Sequence, residues 1–226
     1  MDTFVYIDGY NLYYGRLKST PFKWLDLYVL FQNILKIQNP ASSITKIKYF
    51  TAPTKANFSS HGHDSVKAQN SYHRALKHIY GDKIDIVMGY HTVEKGYPLR
   101  YQKPINKNNR VEIWKFEEKQ TDVNIALHMY RDAVNNQCTQ QILVSNDSDL
   151  ELTLKLISED SPDISLGLII PRPRPVANQN IRPPNKSLSQ YSNWTRNHIL
   201  DQECQNSQLN DKISTNRKSI LKPEHW

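Results

Sequence analysis

The stretch Ile142-Leu143-Val144-Ser145-Asn146-Asp147-Ser148-Asp149-Leu150 constrains this chain more than any other. A short apolar run breaks off at two carboxylates, and a helical pattern begins at once behind them. Leu150, Leu154 and Ile157 recur at the spacing of one helix face, with Leu152 and Leu156 alongside. Ser148 followed by Glu151 reads as the Ser-x-x-Glu capping box that opens a helix. Asp147 and Asp149 therefore belong at the carboxyl end of a strand, where open α/β sheets place their chemistry. Taken alone, Asp149 is read first as complementing the helix dipole in the first turn, and the other acids of the chain reverse that preference.

The rest of the chain repeats the alternation of strand and helix. Thr3 to Ile7 is a β-branched and aromatic run ending in Asp8-Gly9. Leu27, Leu30, Phe31, Ile34 and Leu35 give a helix over 25–37, closed by Pro40. Thr45 to Phe50 sets Ile47 and Tyr49 against Lys46 and Lys48 in strand alternation. A polar loop over 54–64, including His61-Gly62-His63-Asp64, precedes a helix over 66–80 that turns Tyr72, Leu76 and Ile79 to one side. Ile84 to Met88 is a third strand. Gly96, Pro98 and Pro104 interrupt 89–116, where His91-Thr92-Val93 and Val111-Glu112-Ile113-Trp114 suggest a β-excursion from the sheet. A helix over 121–134 is expected to turn Val123, Ala126, Leu127, Tyr130 and Val134 inward, and Ile164 to Ile170 is a last buried strand. The order predicts an α/β fold, a mostly parallel sheet with helices on both faces.

Two regions follow from this reading. Residues 1–170 form the α/β domain, and 171–226 form a basic, Pro-rich linker and C-terminal extension that packs on it. Pro171-Arg172-Pro173-Arg174-Pro175 and Pro183-Pro184 favour an extended backbone. A further helix is expected over 188–200, and Trp226 is expected to dock on the domain, since exposure would waste its apolar area.

Charge bears on the partner. The formal net charge is +7, and the segment from Pro171 onward holds nine Lys/Arg against four Asp/Glu, or +5, leaving +2 for the rest. That balance favours polyanions such as nucleic acid. Cys138 and Cys204 make neither a zinc cluster nor a disulfide framework, and the N-terminus lacks a basic n-region, so a cytoplasmic protein is expected. No apolar run is long enough to cross a membrane, and oligomerisation with identical copies stays open.

Asp8, Asp122 and the pair Asp147/Asp149 share one placement, an acid at an element junction. If they converge, two carboxylates at ~4 Å repel by roughly 4 kcal/mol at an effective dielectric of 20. A hard divalent cation, Mg²⁺ or Mn²⁺, relieves such repulsion, and with activated water it serves hydrolytic phosphoryl chemistry. Neither a Gly-x-x-x-x-Gly-Lys-Ser/Thr loop nor a Gly-x-Gly-x-x-Gly after a strand is present. An aspartyl-nucleophile phosphatase would need an acid where Tyr10 stands.

Tyr6-Ile7-Asp8-Gly9-Tyr10-Asn11-Leu12, Glu117-Glu118-Lys119-Gln120-Thr121-Asp122-Val123-Asn124-Ile125-Ala126 and Leu143-Val144-Ser145-Asn146-Asp147-Ser148-Asp149-Leu150 together resemble the NYN domain family, in particular its LabA-like branch, relatives of PIN-domain ribonucleases. The resemblance extends through Gln69-x-x-Tyr72-x-x-Ala75-Leu76 to Ser207-Gln208-Leu209 and Lys222-Pro223-x-x-Trp226. It implies a PIN-like three-layer α/β/α sandwich and an acidic Mg²⁺ or Mn²⁺ pocket for RNA cleavage. Asp8, Asp122 and Asp147 match the metal-binding acids, with Asp149 as the fourth, and Asn11 is expected to orient a ligand or water. Glu118 is a weaker candidate because Lys119 can pair with it. Gln120 stands where the family pattern commonly has Gly, which should alter the loop entering the helix.

A metal-dependent ribonuclease is the reading that results. The alternative is a non-catalytic RNA-binding or protein-interaction module. Lys103, Arg110, Lys115 and Lys119, interleaved with Tyr97, Tyr101 and Trp114, are the candidate nucleic-acid contacts, because cations beside stacking surfaces hold single strands. A solvated hairpin diluted by Glu94, Glu112, Glu117 and Glu118 explains them equally well. Tyr10, Tyr13 and Tyr14 flank the pocket or pack as core, and Arg172, Arg174 and Arg182 either touch phosphates or keep the linker soluble.

Overall fold

A computed structural model describes residues 1–175 and 183–226. In chain order the elements are β1 (Asp2–Asp8), α1 (Gly9–Leu12) with a π-helical turn at Tyr13–Leu17, α2 (Leu27–Gln38), β2 (Ser43–Thr51), α3 (Gly62–Tyr80) and β3 (Ile84–Met88). Then come β4 (Tyr90–Gly96), β5 (Ile113–Lys119), α4 (Thr121–Val134), β6 (Gln140–Val144), α5 (Glu151–Asp160) and β7 (Ser165–Ile169). The C-terminal part adds α6 (Lys186–Ser189), β8 (Trp194–Arg196), α7 (Asp201–Gln205), β9 (Lys212–Ile213) and β10 (Ile220–Leu221).

The main sheet runs β3-β2-β1-β6-β7-β8 with every pairing parallel. Parallel strands buried on both faces need apolar residues at successive positions, and β1 and β6 have them. Val5 and Ile7 face a core with Leu30, Phe31 and Ile34 of α2 and Leu76 of α3; Tyr6 joins Ile125 and Met129 of α4 and Leu154 and Ile157 of α5 in a second core. The result is the expected three-layer α/β/α arrangement. The expected β-excursion is the hairpin β4–β5, antiparallel with Tyr90 opposite Lys119. Its distal part exposes Tyr97, Tyr101, Ile105 and Trp114.

Several expectations needed correction. The inward face of α4 is Ile125, Met129, Asp132 and Ala133, whereas Val123 and Leu127 are 58% and 62% exposed and Val134 is exposed as well. Ile125, Met129 and Ala133 make an apolar stripe at i, i+4 and i+8, and the same face brings Asp132 to Lys48, a strand residue set in alternation against Ile47 and Tyr49. Lys48 is buried and ion-paired with Asp132, whose Oδ2 also accepts the Tyr6 hydroxyl at 2.7 Å. A carboxylate so placed requires both partners, since a buried charge left unpaired is costly. In place of one helix over 188–200 there is short α6, then strand β8 on the free edge of β7. Gly167 makes this possible: a Cβ there would collide with the Trp194 ring. Helix α3 begins at Gly62, four residues before Val66, so His63 and Asp64 are helical.

The C-terminal residues are built onto the first core. Trp226 packs with ring centroids 6.2 Å from Trp24 and 5.5 Å from Tyr72, and the Trp24 indole donates to the Asn210 carbonyl at 3.0 Å. Arg16, buried, pairs with Asp201 at 2.5 Å. No helix among the described residues is long and apolar enough to cross a membrane.

The Lys48–Asp132–Tyr6 cluster makes the first prediction. Asp132→Ala should lower unfolding free energy by about 3–5 kcal/mol in urea, by stranding the Lys48 ammonium. Pairing it with Lys48→Met should recover most of that loss; equal destabilisation in the single and double variants would exclude the ion pair as the cause.

Candidate functional site

Strand β1 delivers Asp8 to the carboxyl rim of the sheet, where the next residue, Gly9, turns the chain into α1. Gly9 is required there, because a Cβ would press on the Phe50 carbonyl and the Tyr49 ring. Asp8 is only 2% exposed. Its Oδ1 accepts the Asn11 backbone N–H at 2.9 Å, capping α1, and its Oδ2 accepts the Asn11 amide at 2.7 Å and the Ser145 hydroxyl at 2.9 Å. Burial pushes the Asp8 pKa up; the hydrogen bonds from Asn11 and Ser145 oppose this, and Asp147 adds to the rise.

Strand β6, beside β1, delivers the second group of acids. Ser145 both donates to Asp8 and accepts the Asp147 backbone N–H at 3.1 Å, so one hydroxyl joins the two strand ends. The expected capping box is replaced by a different cap. Asp147, not Ser148, caps the 3₁₀ turn Ser148–Leu150, accepting from the Asp149 N–H at 3.2 Å, and α5 starts only at Glu151. Leu150 must be buried directly after the acids, which tightens this first turn.

Asp122 stands in the first turn of α4, and Glu118 at the end of β5. Gln120 between them takes φ 73°, the left-handed conformation that a glycine would adopt without strain. That turn swings Asp122 toward the rim: burial, then the charges of Asp8, Asp147 and Asp149, raise its pKa to about 6. Glu118 does not pair with Lys119, which takes Glu117 at 2.6 Å. It accepts the Thr121 hydroxyl instead and faces the acids, so burial, followed by Asp8 and Asp122, raises its pKa to about 7. The structure thus groups Asp8, Asp122, Asp147 and Asp149 and adds Glu118. Ser145 and Thr121 were the residues that sequence reasoning gave no role; the signal for Ser145 was its place between the apolar run and Asp147.

Asn11 is turned toward the protein. Its amide donates to Asp8, and its Oδ1 accepts the Asn146 N–H at 3.3 Å. Asn146 in turn donates to the Pro183 carbonyl at 3.0 Å and accepts the Asn185 N–H at 2.7 Å, tying the C-terminal segment to the rim.

Next to the acids, on the β2 side, lies a cavity of about 340 Å³. Tyr10, Tyr13 and Tyr14 all line it, with Tyr49, Phe58 and Trp226 opposite. Tyr10 stacks on Tyr14 at 5.8 Å. His91 Nδ1–H donates to the Pro53 carbonyl at 3.0 Å, so Nε2 accepts the Tyr10 hydroxyl at 2.9 Å and the ring is a neutral tautomer. Burial lowers the His91 pKa, in agreement.

The candidate nucleic-acid cations are differently engaged. Lys115 pairs with Glu117 at 3.1 Å and Glu94 at 3.4 Å, Lys119 with Glu117, and Arg110 donates to the Tyr97 carbonyl at 2.7 Å. Lys103 lies exposed in the β4–β5 connection. Arg172 donates to the Asn197 carbonyl at 2.8 Å, and Arg182 falls outside the described residues.

Among the described residues, no three His, Cys, Asp or Glu side chains are gathered closely enough to hold one ion between them. The donor set is nonetheless all oxygen, and burial first, then the neighbouring carboxylates, raises the pKa values of Asp8, Glu118 and Asp122. That suits a hard cation held by one or two carboxylates with the remainder reached through water, as Mg²⁺ is commonly held.

An α/β/α domain with acids converging at the carboxyl end of β1 and β6 is the class that fold and site define. A model of the NYN domain matches residues 2–171. The chain is 36% identical over 241 residues to 6-hydroxy-3-succinoylpyridine 3-monooxygenase HspA of Pseudomonas putida, covering 99% of this chain and 75% of that one. A solved structure of a protein of unknown function from Vibrio parahaemolyticus aligns over 88% of this chain and 93% of that chain at 16% identity, with a TM-score of 0.49. The chain belongs to the NYN domain family.

Two predictions come from this geometry. A carboxylate whose pKa rises on folding binds its proton more tightly folded than unfolded, so its contribution to stability is full below the unfolded value and declines as pH rises to the folded one. For Asp122 and Glu118 that window runs from ordinary values of 3.8 and 4.5 to about 6 and about 7. Asp122→Asn should therefore raise Tm at pH 8 and leave it nearly unchanged at pH 4 in thermal melts. Gln120→Gly should stabilise by about 0.5–1 kcal/mol, the left-handed strain of about 1–2 kcal/mol less the added chain entropy of about 0.4–1 kcal/mol; a destabilised variant in urea titrations would count against a strained Gln120.

Proposed function

We propose that this chain is a metal-dependent ribonuclease, a LabA-like member of its family and a relative of PIN-like nucleases. The observation that carries the reading is the convergence of five carboxylates from three separate segments, with the pKa values of Asp8, Glu118 and Asp122 raised. Of Asp8, Asp122, Asp147 and Asp149, one or two would hold Mg²⁺ or Mn²⁺ directly and the others would reach it through water. Such an ion, when bound, lowers the pKa of water and stabilises charge on a phosphodiester.

The remaining roles belong to the chain itself. Asn11 and Ser145 position Asp8, fixing its carboxylate in one orientation. Glu118, with a pKa of about 7, is matched to moving a proton at neutral pH, taking one from an attacking water or giving one to a departing oxygen. The net charge of +7 favours a polyanionic substrate despite the local acids.

Cleavage of end-labelled RNA and DNA oligonucleotides with Mn²⁺, Mg²⁺ or EDTA tests this. Metal-dependent RNA cutting is expected, reduced about a hundred-fold or more by Asp8→Asn or Asp122→Asn. Glu118→Gln should flatten the inflection near pH 7 in the rate profile. Undiminished cutting by both Asp variants would sink the assignment of these acids.

A second reading draws on the relative named as a 6-hydroxy-3-succinoylpyridine 3-monooxygenase, together with the aromatic cavity beside the acids. In it the chain hydroxylates a substituted hydroxypyridine, with O₂ as oxidant and an external two-electron donor. Substrate-dependent O₂ uptake with NADH, with and without added flavin, would favour it over the nuclease.

A further inference from the structure

The cavity beside the acids has a character opposite to theirs. It is lined by Lys18, Lys23 and Lys55, and no Asp or Glu is among its lining residues. Its size of about 340 Å³ falls at the lower end of the range usual for small-molecule sites, about 300–1,000 Å³. A single flat ring with one substituent fills a space of that order; a folded polymer segment does not.

The walls are aromatic on two sides. Tyr13 meets Tyr14 edge-on at 5.1 Å, and Phe58 stacks on Phe116 at 4.8 Å. Both Phe58 and Tyr14 remain exposed, so their ring faces are accessible from the cavity mouth. Trp226, anchored on Trp24 and Tyr72, supplies a further wall. Lys18 lies 4.9 Å over the Tyr14 ring, and Lys23 donates to the His225 carbonyl at 3.3 Å. These contacts hold two ammonium groups beside the aromatic walls without neutralising them.

Two further lining side chains have polar atoms without partners. Nε2 of His73 and Nε2 of His225 are both buried and make no hydrogen bond. A buried polar atom left unpaired costs about 1–3 kcal/mol, a cost that a ligand with ring heteroatoms removes. By contrast, Gln69 is fully committed, donating to the Ala52 carbonyl at 2.9 Å and accepting the Thr54 N–H at 2.8 Å, and it shapes the wall.

We infer that this cavity binds a planar heteroaromatic ring carrying an anionic group, the ring held among Tyr13, Tyr14, Phe58 and Trp226 and the anion against Lys18, Lys23 and Lys55. Two sources share that chemistry, a nucleotide unit of a single strand and a small free heteroaromatic acid. The inference rests on neither reading of the acids, since none of them lines the cavity.

Isothermal titration of the full chain in EDTA tests it without requiring turnover. The probes are uridine 5′-monophosphate, 6-hydroxynicotinate, uridine and inorganic phosphate. At least one of the first two should bind about ten-fold more tightly than both uridine and phosphate. Phe58→Ala and the double variant Lys18→Glu/Lys55→Glu, all at exposed positions, should each weaken that binding about five- to ten-fold with Tm unchanged. Tighter binding of the nucleotide assigns the site to a strand, and tighter binding of the nicotinate assigns it to a free acid. Phosphate binding as strongly as either ring compound, no binding of either, or affinities unmoved in both variants would each overturn the proposal. Cleavage by the same preparation is read separately, so loss of one result leaves the other standing.

Discussion

The rest of this structure depends on a single buried carboxylate. Asp8 ends the central strand, has almost no exposure, and is tolerated only because Asn11 and Ser145 donate to it. Each donor also does something else. Asn11 accepts from Asn146, and Ser145 accepts from Asp147, so satisfying one charge locks the ends of β1 and β6 together. Asn146 then holds Pro183 and Asn185. A requirement of electrostatics at one atom becomes the geometry of the whole rim.

The two faces of the sheet solve different problems. The face packed by α2 and α3 is apolar and is extended by the C-terminal residues around Trp24 and Trp226. The opposite face carries the buried pair Lys48–Asp132 beside Ile125, Met129 and Ala133, and together they define the inward side of α4. That orientation has two consequences. It leaves Val123, Leu127 and Val134 on the surface, and it lets Asp122, in the first turn, reach the acids through the left-handed Gln120.

At the rim, strongly acidic and distinctly basic surfaces lie side by side, parted by Gly9, Tyr10 and Tyr49. Tyr10 and Tyr49 feel the acids, their hydroxyls held protonated by burial and by the nearby carboxylates. A ligand spanning the boundary meets cations and rings on one side and carboxylates on the other. Both proposed readings draw on that juxtaposition. The family's shared fold does not by itself choose between chemistries, because function resides in the site rather than the fold.

Much was legible in the amino-acid order. Apolar runs at period two or 3.6 give β1, β2, β3, β6, β7 and α2 through α5, and Asp8, Asp122, Asp147 and Asp149 appear at junctions where those periods break. Local pattern could not show that the inward side of α4 carries a buried charge, because the partner of Asp132 is Lys48, 84 positions away in sequence. Nor could it reveal β8, whose three residues become a strand only beside the bare backbone of Gly167. Glu118 looked like a partner for Lys119 until the hairpin fixed which carboxylate faces which way. The chain by itself determined the elements and the acids. Tertiary structure decided their company, since hydrogen bonds and buried charges between distant segments are satisfied only when the strands stand next to one another.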